Sequence, residues 1–200
     1  MVCMVHRILG FVIFFSLLVF PQSPIKAKIG VFVNDAGKLQ LLKSNDKMKV
    51  GTQFRVCIQS LEKEYIYAIY RDNSFTYLLN KTNSTTIYEA DKSIFLPSKS
   101  EFYSIDDKSP NIRVLVICSK TKIDDIEKTF AGQKKIATSE WTGYEEKLIN
   151  SRKNISEPSA KPFSIAGNVR GVGGDNVFDK LPVLSGKELF IRKYEIEVQK

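Results

Sequence analysis

Histidine is almost missing from these 200 residues: the single one is His6. Beyond residue 27 there is none, which excludes Ser-His-Asp triads, Cys-His dyads and histidine-bearing zinc sites from that part of the chain. Cysteine is scarce as well. Cys3 precedes an early apolar run, leaving Cys57 and Cys118, too few to complete a structural zinc site alone. After that run no apolar stretch is long enough to span a membrane. Basic doublets are few, Lys134-Lys135 and Arg152-Lys153, and no aromatic ladder accompanies them. Nucleic acid is therefore not an expected partner. What survives these absences is carboxylate, lysine or tyrosine chemistry, and no motif marks such a site. The expectation is a protein that is not an enzyme and holds no cofactor and no metal.

What is present begins with a targeting signal. His6 and Arg7 open it, and Ile8 to Phe20 is apolar except for Gly10 and Ser16. Thirteen residues suit the core of a signal peptide and are short for a membrane span. Ile25-Lys26-Ala27 ends on a small residue, so cleavage is expected after Ala27, with an uncleaved anchor as the alternative. The expected mature chain is Lys28 to Lys200, carried to the periplasm or secreted. It holds 28 basic against 22 acidic residues, dispersed as on a solvated cationic surface. Attraction to anionic lipid or polyanion is the sharper reading of the same charge.

From Lys28 to about Ser119 the chain reads as strands. Ile29, Val31 and Val33 alternate with Gly30 and Phe32, and residues 34–37 supply turn chemistry. In residues 53–60, Phe54, Val56 and Ile58 point one way and Arg55, Cys57 and Gln59 the other, the period of a half-buried strand. Residues 65–70 and 75–79 flank a polar break and read as a β-hairpin. Ser93 to Leu96 and Glu101 to Ile105 are short strands. Arg113 to Cys118 is apolar after its first residue and is expected to lie centrally. This spacing predicts a mainly β fold, an antiparallel sandwich or partly closed barrel.

The last third changes period. Ile123, Ile126 and Phe130 share a helix face with Thr121 as N-cap. Trp141, Tyr144 and Leu148 repeat the spacing, with Thr142 and Glu145 placed for a capping box. One or two short helices are expected, docked on the sheet. Asp124, Asp125 and Glu127, and likewise Glu145 and Glu146, read as solvated helix faces. Residues 150–162 read as a loop. Gly171 to Asp175 lacks the ending of a phosphate loop and reads as a flexible loop. Residues 189–198 alternate as a strand returning to the sandwich at an edge. The expected division is a signal over 1–27, a sandwich over 28–125 and a helical appendage over 126–200.

Several features recur in a fixed order: Lys49-Val50-Gly51-Thr52 before the alternating Phe54, Val56 and Ile58; Tyr65-Ile66-Tyr67; Tyr77-Leu78-Leu79-Asn80; Leu96-Pro97; and the apolar strand from Val114 to Ser119. With these, residues 47 to about 125 resemble the bacterial domain-of-unknown-function family 4384. Leu79 stands where that family often has proline, and Ser109-Pro110-Asn111 where it often has glycine. The resemblance implies a β-sandwich module of exported bacterial proteins, an accessory or sensory part in some. It carries no catalytic residues.

Three features remain open. Tyr65, Tyr67, Tyr70 and Tyr77, with Phe75, make an aromatic-rich hairpin: cross-strand packing by default, a binding platform for glycan or peptide otherwise. Export permits a Cys57–Cys118 disulfide, and two buried free thiols fit equally well. The sequons at Asn80, Asn83 and Asn154 read as polar loop residues. The functional expectation is a noncatalytic binding or assembly module of the cell envelope, its partner an envelope protein or glycan. The alternatives are a carboxylate enzyme on envelope glycans and a charge-driven binder of anionic lipid or polyanion.

Overall fold

The computed structural model describes residues 23–35, 37–80, 86–150 and 175–199. The strands are β1 (Ile25–Asp35), β2 (Lys38–Leu41), β3 (Lys47–Lys49), β4 (Gln53–Ser60), β5 (Glu64–Arg71), β6 (Phe75–Leu78), β7 (Ile87–Tyr88), β8 (Ser93–Leu96), β9 (Tyr103–Ser104) and β10 (Asn111–Ser119). Helix α1 (Asp124–Thr129), β11 (Lys135–Ala137) and α2 (Thr138–Asn150) follow. A 3-10 turn (Asp175–Lys180), β12 (Val183–Gly186) and β13 (Leu189–Gln199) complete the described chain.

Two sheets form. The first runs β12-β1-β4-β8, with β2 added to β1 and β9 to β4. The second runs β11-β6-β5-β10-β13-β3, with β7 added to β5. Every pairing is antiparallel except that of β13 with β3. The fold is therefore the expected antiparallel sandwich, with neither sheet closed into a barrel. No helix among the described residues is long and apolar enough to cross a membrane.

Period-two alternation sorts side chains into layers. Phe54, Val56 and Ile58 of β4, Ile66 and Ala68 of β5, Val114, Val116 and Cys118 of β10, and Tyr194 and Ile196 of β13 fill the space between the sheets. The opposite faces are not all wet. Tyr67 and Ile69 of β5 and Leu115 and Ile117 of β10 lie beneath Ile126 and Phe130 around α1 and Trp141 and Leu148 of α2. Phe32 and Cys57 on the far face of the first sheet lie beneath Val177, Phe178 and Leu181. The continuous apolar run of β10 is thus explained: it is central and covered on both sides, as expected.

Several boundaries differ from expectation. The first described strand already includes Ile25 to Ala27, upstream of Lys28: Ile25 to Lys28 pair with Val183 to Gly186, and Ile25 and Ala27 are buried in the inter-sheet core. Ile25, Ala27, Ile29 and Val31 form one unbroken inward series, so the small residue that suggested a cleavage site serves core packing. Nor is the last third an appendage, because β11, β12 and β13 are integral to the two sheets. β13 is not simply an edge strand; its end lies between β10 and β3. The strand expected over 101–105 is reduced to β9. Helix α1 starts without a side-chain cap, behind Ile123 and not Thr121. α2 begins at Thr138, so Thr142 is interior and donates its hydroxyl back to the Thr138 carbonyl at 2.8 Å. The loop over 150–162, the glycine-rich stretch before Asp175 and the Asn83 and Asn154 sequons fall outside the described residues, but for Asn150.

A chain starting at Lys28 keeps only the Lys28–Val183 position of the β12 pairing and loses the buried Ile25, worth about 2 kcal/mol or more. Denaturant midpoints are expected to be clearly lower for it than for a chain starting at Ser23; equal midpoints contradict this boundary.

Candidate functional site

Cross-strand register assembles a charged row on the outer face of the second sheet. Thr76 of β6 lies opposite Arg71 of β5, Arg71 opposite Arg113 of β10, and Arg113 opposite Glu195 of β13. Two arginines directly opposite each other repel, because facing side chains in an antiparallel pair are only about 5 Å apart at Cβ. α2 supplies the counter-charge. Its N-terminus is pinned to the β5–β6 hairpin, where the Thr138 N–H donates to the Ser74 carbonyl at 3.0 Å and the Thr138 hydroxyl to the Asp72 carbonyl at 2.9 Å. From there two helical turns place Glu145 over the arginine pair.

Glu145 is 1% exposed. Its Oε2 accepts from Arg71 at 2.8 Å and from the Trp141 indole N–H at 2.9 Å, while Oε1 accepts from Arg113. Trp141 and Glu145 share a helix face at i, i+4. Arg113 reaches onward to Glu195 at 2.5 Å. Burial alone would lower the Arg113 pKa; the hydrogen bonds and charges of Glu145, then of Glu195, outweigh it and hold the guanidinium above its ordinary range. At Glu195 burial is likewise outweighed, here by Lys193 and Arg113, and the carboxyl is held below its usual range. The expectation of Glu145 as a solvated residue is corrected: it is the buried centre of an ionic network.

Beside this network opens a cleft of about 530 Å³. Asn45, Asn73 and Asn111 reach it from three separate segments, and Thr138 and Thr142 from α2. The three carboxamides are exposed and hold no hydrogen bond to another described residue. Arg71 and Arg113 line the cleft with Asp72, Glu195 and Glu197, and the bordering Lys47, Lys193 and Glu145 bring the charges to balance, several as direct pairs. Asp72 is occupied locally, accepting the N–H groups of Ser74 and Phe75. The arrangement offers neutral hydrogen-bonding groups on a rigid, charge-balanced wall. Glu195, held below its usual range by Lys193 and Arg113, is not poised to deliver a proton.

The residues singled out from sequence do not gather here. Alternation splits the aromatic hairpin between two layers. Tyr65 and Tyr67 face the helices, where Tyr67 is fully buried and its hydroxyl accepts the Ile123 N–H at 2.9 Å. Tyr70 packs between the sheets, 6.2 Å from the Phe54 ring and 5.8 Å from Tyr77. The four tyrosines form no common platform, and cross-strand packing is the reading that fits. Phe75 alone of this hairpin's aromatics is exposed, beneath the Lys135 ammonium at 4.4 Å. Cys57 and Cys118 are free and buried in different layers, which corrects the disulfide reading. Burial pushes the Cys57 thiol up to about 12 and raises that of Cys118 as well. Asn80 is not a loop surface residue. Its amide donates to the Ile66 carbonyl at 2.8 Å, and its oxygen accepts the Ala68 N–H at 2.8 Å. Among the described residues no three His, Cys, Asp or Glu side chains are grouped as a metal site.

No family model matches this chain, and neither does any curated protein or solved structure.

Glu145→Ala leaves Arg71 without its carboxylate and facing Arg113, which keeps only Glu195, and is expected to cost about 3–5 kcal/mol of unfolding free energy. Glu195→Ala, whose carboxylate is half exposed, is expected to cost about 1 kcal/mol or less. Equal losses in denaturant titrations contradict the assignment of Glu145 as the centre. For a chain lacking Cys3, a thiol reagent is expected to find no reactive thiol in the native state and two after denaturation without reductant. A denatured protein with none is bridged.

Proposed function

We propose that this chain is a noncatalytic binding or assembly module of the bacterial cell envelope, and that its partner docks in the cleft beside the Arg71–Glu145–Arg113 network. The cleft's balanced charge carries this reading. Its free groups are the carboxamides of Asn45, Asn73 and Asn111, which recognise the hydrogen-bonding edges of a peptide or glycan and not a bare ion. Support for export comes from the apolar run at Ile8 to Phe20. The burial of Ile25 and Ala27 moves the proposed processing point upstream of Ile25. Kinship with the domain-of-unknown-function family 4384 belongs to the same proposal. Its support is that the motif order falls on β4, β5, β6, β8 and β10.

The cleft favours binding over the two alternatives. A retaining or inverting glycosidase needs one carboxyl with a raised pKa facing a second across the substrate, whereas Glu145 and Glu195 are joined through one guanidinium. A binder of polyanions needs unbalanced positive charge, and the cationic groups here each face a carboxylate.

The test is crosslinking in an envelope fraction with wild type and with the Asn73→Ala, Asn111→Ala double variant. The expected result is a specific partner that persists at about 1 M salt, where ionic attraction is screened, and that the variant loses at least tenfold. A partner stripped by salt, or one the variant keeps, overturns the proposal.

A further inference from the structure

One buried carboxyl lies far from the cleft and plays no part in its chemistry. Glu64 opens β5 on the inter-sheet face and is 0% exposed, and among the described residues neither carboxyl oxygen has a well-formed hydrogen bond, the Ser60 hydroxyl and Cys118 thiol being its weak polar neighbours. Native interiors rarely leave a polar group in this condition, because an unpaired buried carboxylate is far costlier than a buried neutral acid. Among the described residues no cation is paired with it. Cys118 of β10, the neighbouring strand of the same sheet, lies beside it on the same inter-sheet face, with a thiol that burial keeps protonated. Ser60, at the end of β4, turns its hydroxyl to the Glu62 carbonyl. Of the connecting residues, Glu62 adds like charge, and Lys63 is held by Glu89 at 2.7 Å. On its own strand Tyr65 points to the other face. The remaining neighbour is Tyr88 of β7, directly opposite in register.

β7 is the weakest cover in the molecule's second sheet. It is two residues long and pairs only through Glu64 with Tyr88 and Tyr65 with Ile87. Among the bonds that hold it are those of the Ile66 N–H to the Thr86 carbonyl at 2.9 Å, the Asn80 amide to the Tyr88 hydroxyl at 3.1 Å, and the Thr86 hydroxyl to Glu127. A carboxylate formed beside it reaches water with the least disruption by displacing it, since short edge segments open at the lowest free energy.

We propose that Glu64 is a proton-operated latch: its neutral acid lets β7 close over the end of the sandwich, and its ionisation releases β7 and bares the edge of β5 at Glu64 and Tyr65. This reading is independent of the cleft. Desolvation, only partly opposed by Ser60 and Cys118, pushes the Glu64 pKa from the ordinary 4.5 up to about 7 in the closed state. The sign follows directly. The open state binds fewer protons than the closed state between these values, so closure is strongest below pH 4.5, weakens as pH rises and reaches its floor above pH 7.

Amide exchange of residues 86–89, corrected for intrinsic rates, reads the latch in the full chain. The opening constant is expected to rise by up to about tenfold per pH unit from pH 5 to pH 7 and to level off above, because one proton is linked. Glu64→Gln keeps a neutral side chain and is expected to flatten that dependence while leaving the segment protected at pH 8. Carbon NMR titration of the Glu64 carboxyl in wild type provides a reading that needs no variant. A midpoint near 7 with coincident loss of β7 protection supports the latch. A midpoint below 5, protection independent of pH, or the same pH dependence in Glu64→Gln overturns it.

Discussion

Three of the central strands are apolar on both faces, and the rest of the architecture follows from that constraint. A strand with one wet face needs one cover. β4, β5 and β10 bury Phe54, Ile66 and Val116 inward and Cys57, Tyr67 and Leu115 outward. A second sheet satisfies only the inward set. The helices α1 and α2 must therefore lie on one outer face, and the segment around Phe178 on the other. The sandwich is a four-layered object because its strands leave it no other way to remove apolar surface from water.

Placing α2 on the second sheet creates an electrostatic problem that the same helix resolves. Arg71 and Arg113 stand at the ends of their strands' apolar runs, where the helix passes over them. Bare, they would repel each other under a low-dielectric cover; with Glu145 between them they become the polar end of an otherwise apolar interface. A network of this kind gives little net stability relative to a hydrophobic replacement, but it is intolerant of losing one member. It also holds α2 in one position, and the cleft wall with it. Rigid polar groups around an open volume are what a binding surface requires.

Much of this was legible in the chain, and the illegible parts have a common cause. The alternation in residues 53–60 and the apolar run of residues 114–118 specify strands because period two is local. The stripe of Trp141, Tyr144 and Leu148 specifies a docked helix for the same reason. Register is not local. Nothing near Arg71, Arg113 or Glu145 announces that they meet, so Glu145 read as solvated, and Tyr65 to Tyr77 left a binding platform open beside cross-strand packing until register divided them between layers. Ile25 and Ala27 continued the inward series of Ile29 and Val31, a signal that was present but masked by its likeness to a cleavage site. Asn80 sat in a polar stretch and gave no sign that its amide would substitute for a missing strand partner at Ile66 and Ala68.

The central claim is that the cleft beside Glu145 is the surface a partner uses. Hydrogen-exchange footprinting of the purified protein with its crosslinked partner tests it most directly. The account predicts slowed exchange in the segments around Asn45, residues 71–74, residues 111–113 and the first turn of α2, with the far face of the first sheet unchanged. Protection confined to that far face, or to the β12 edge, with the cleft exchanging as in the free protein, contradicts it.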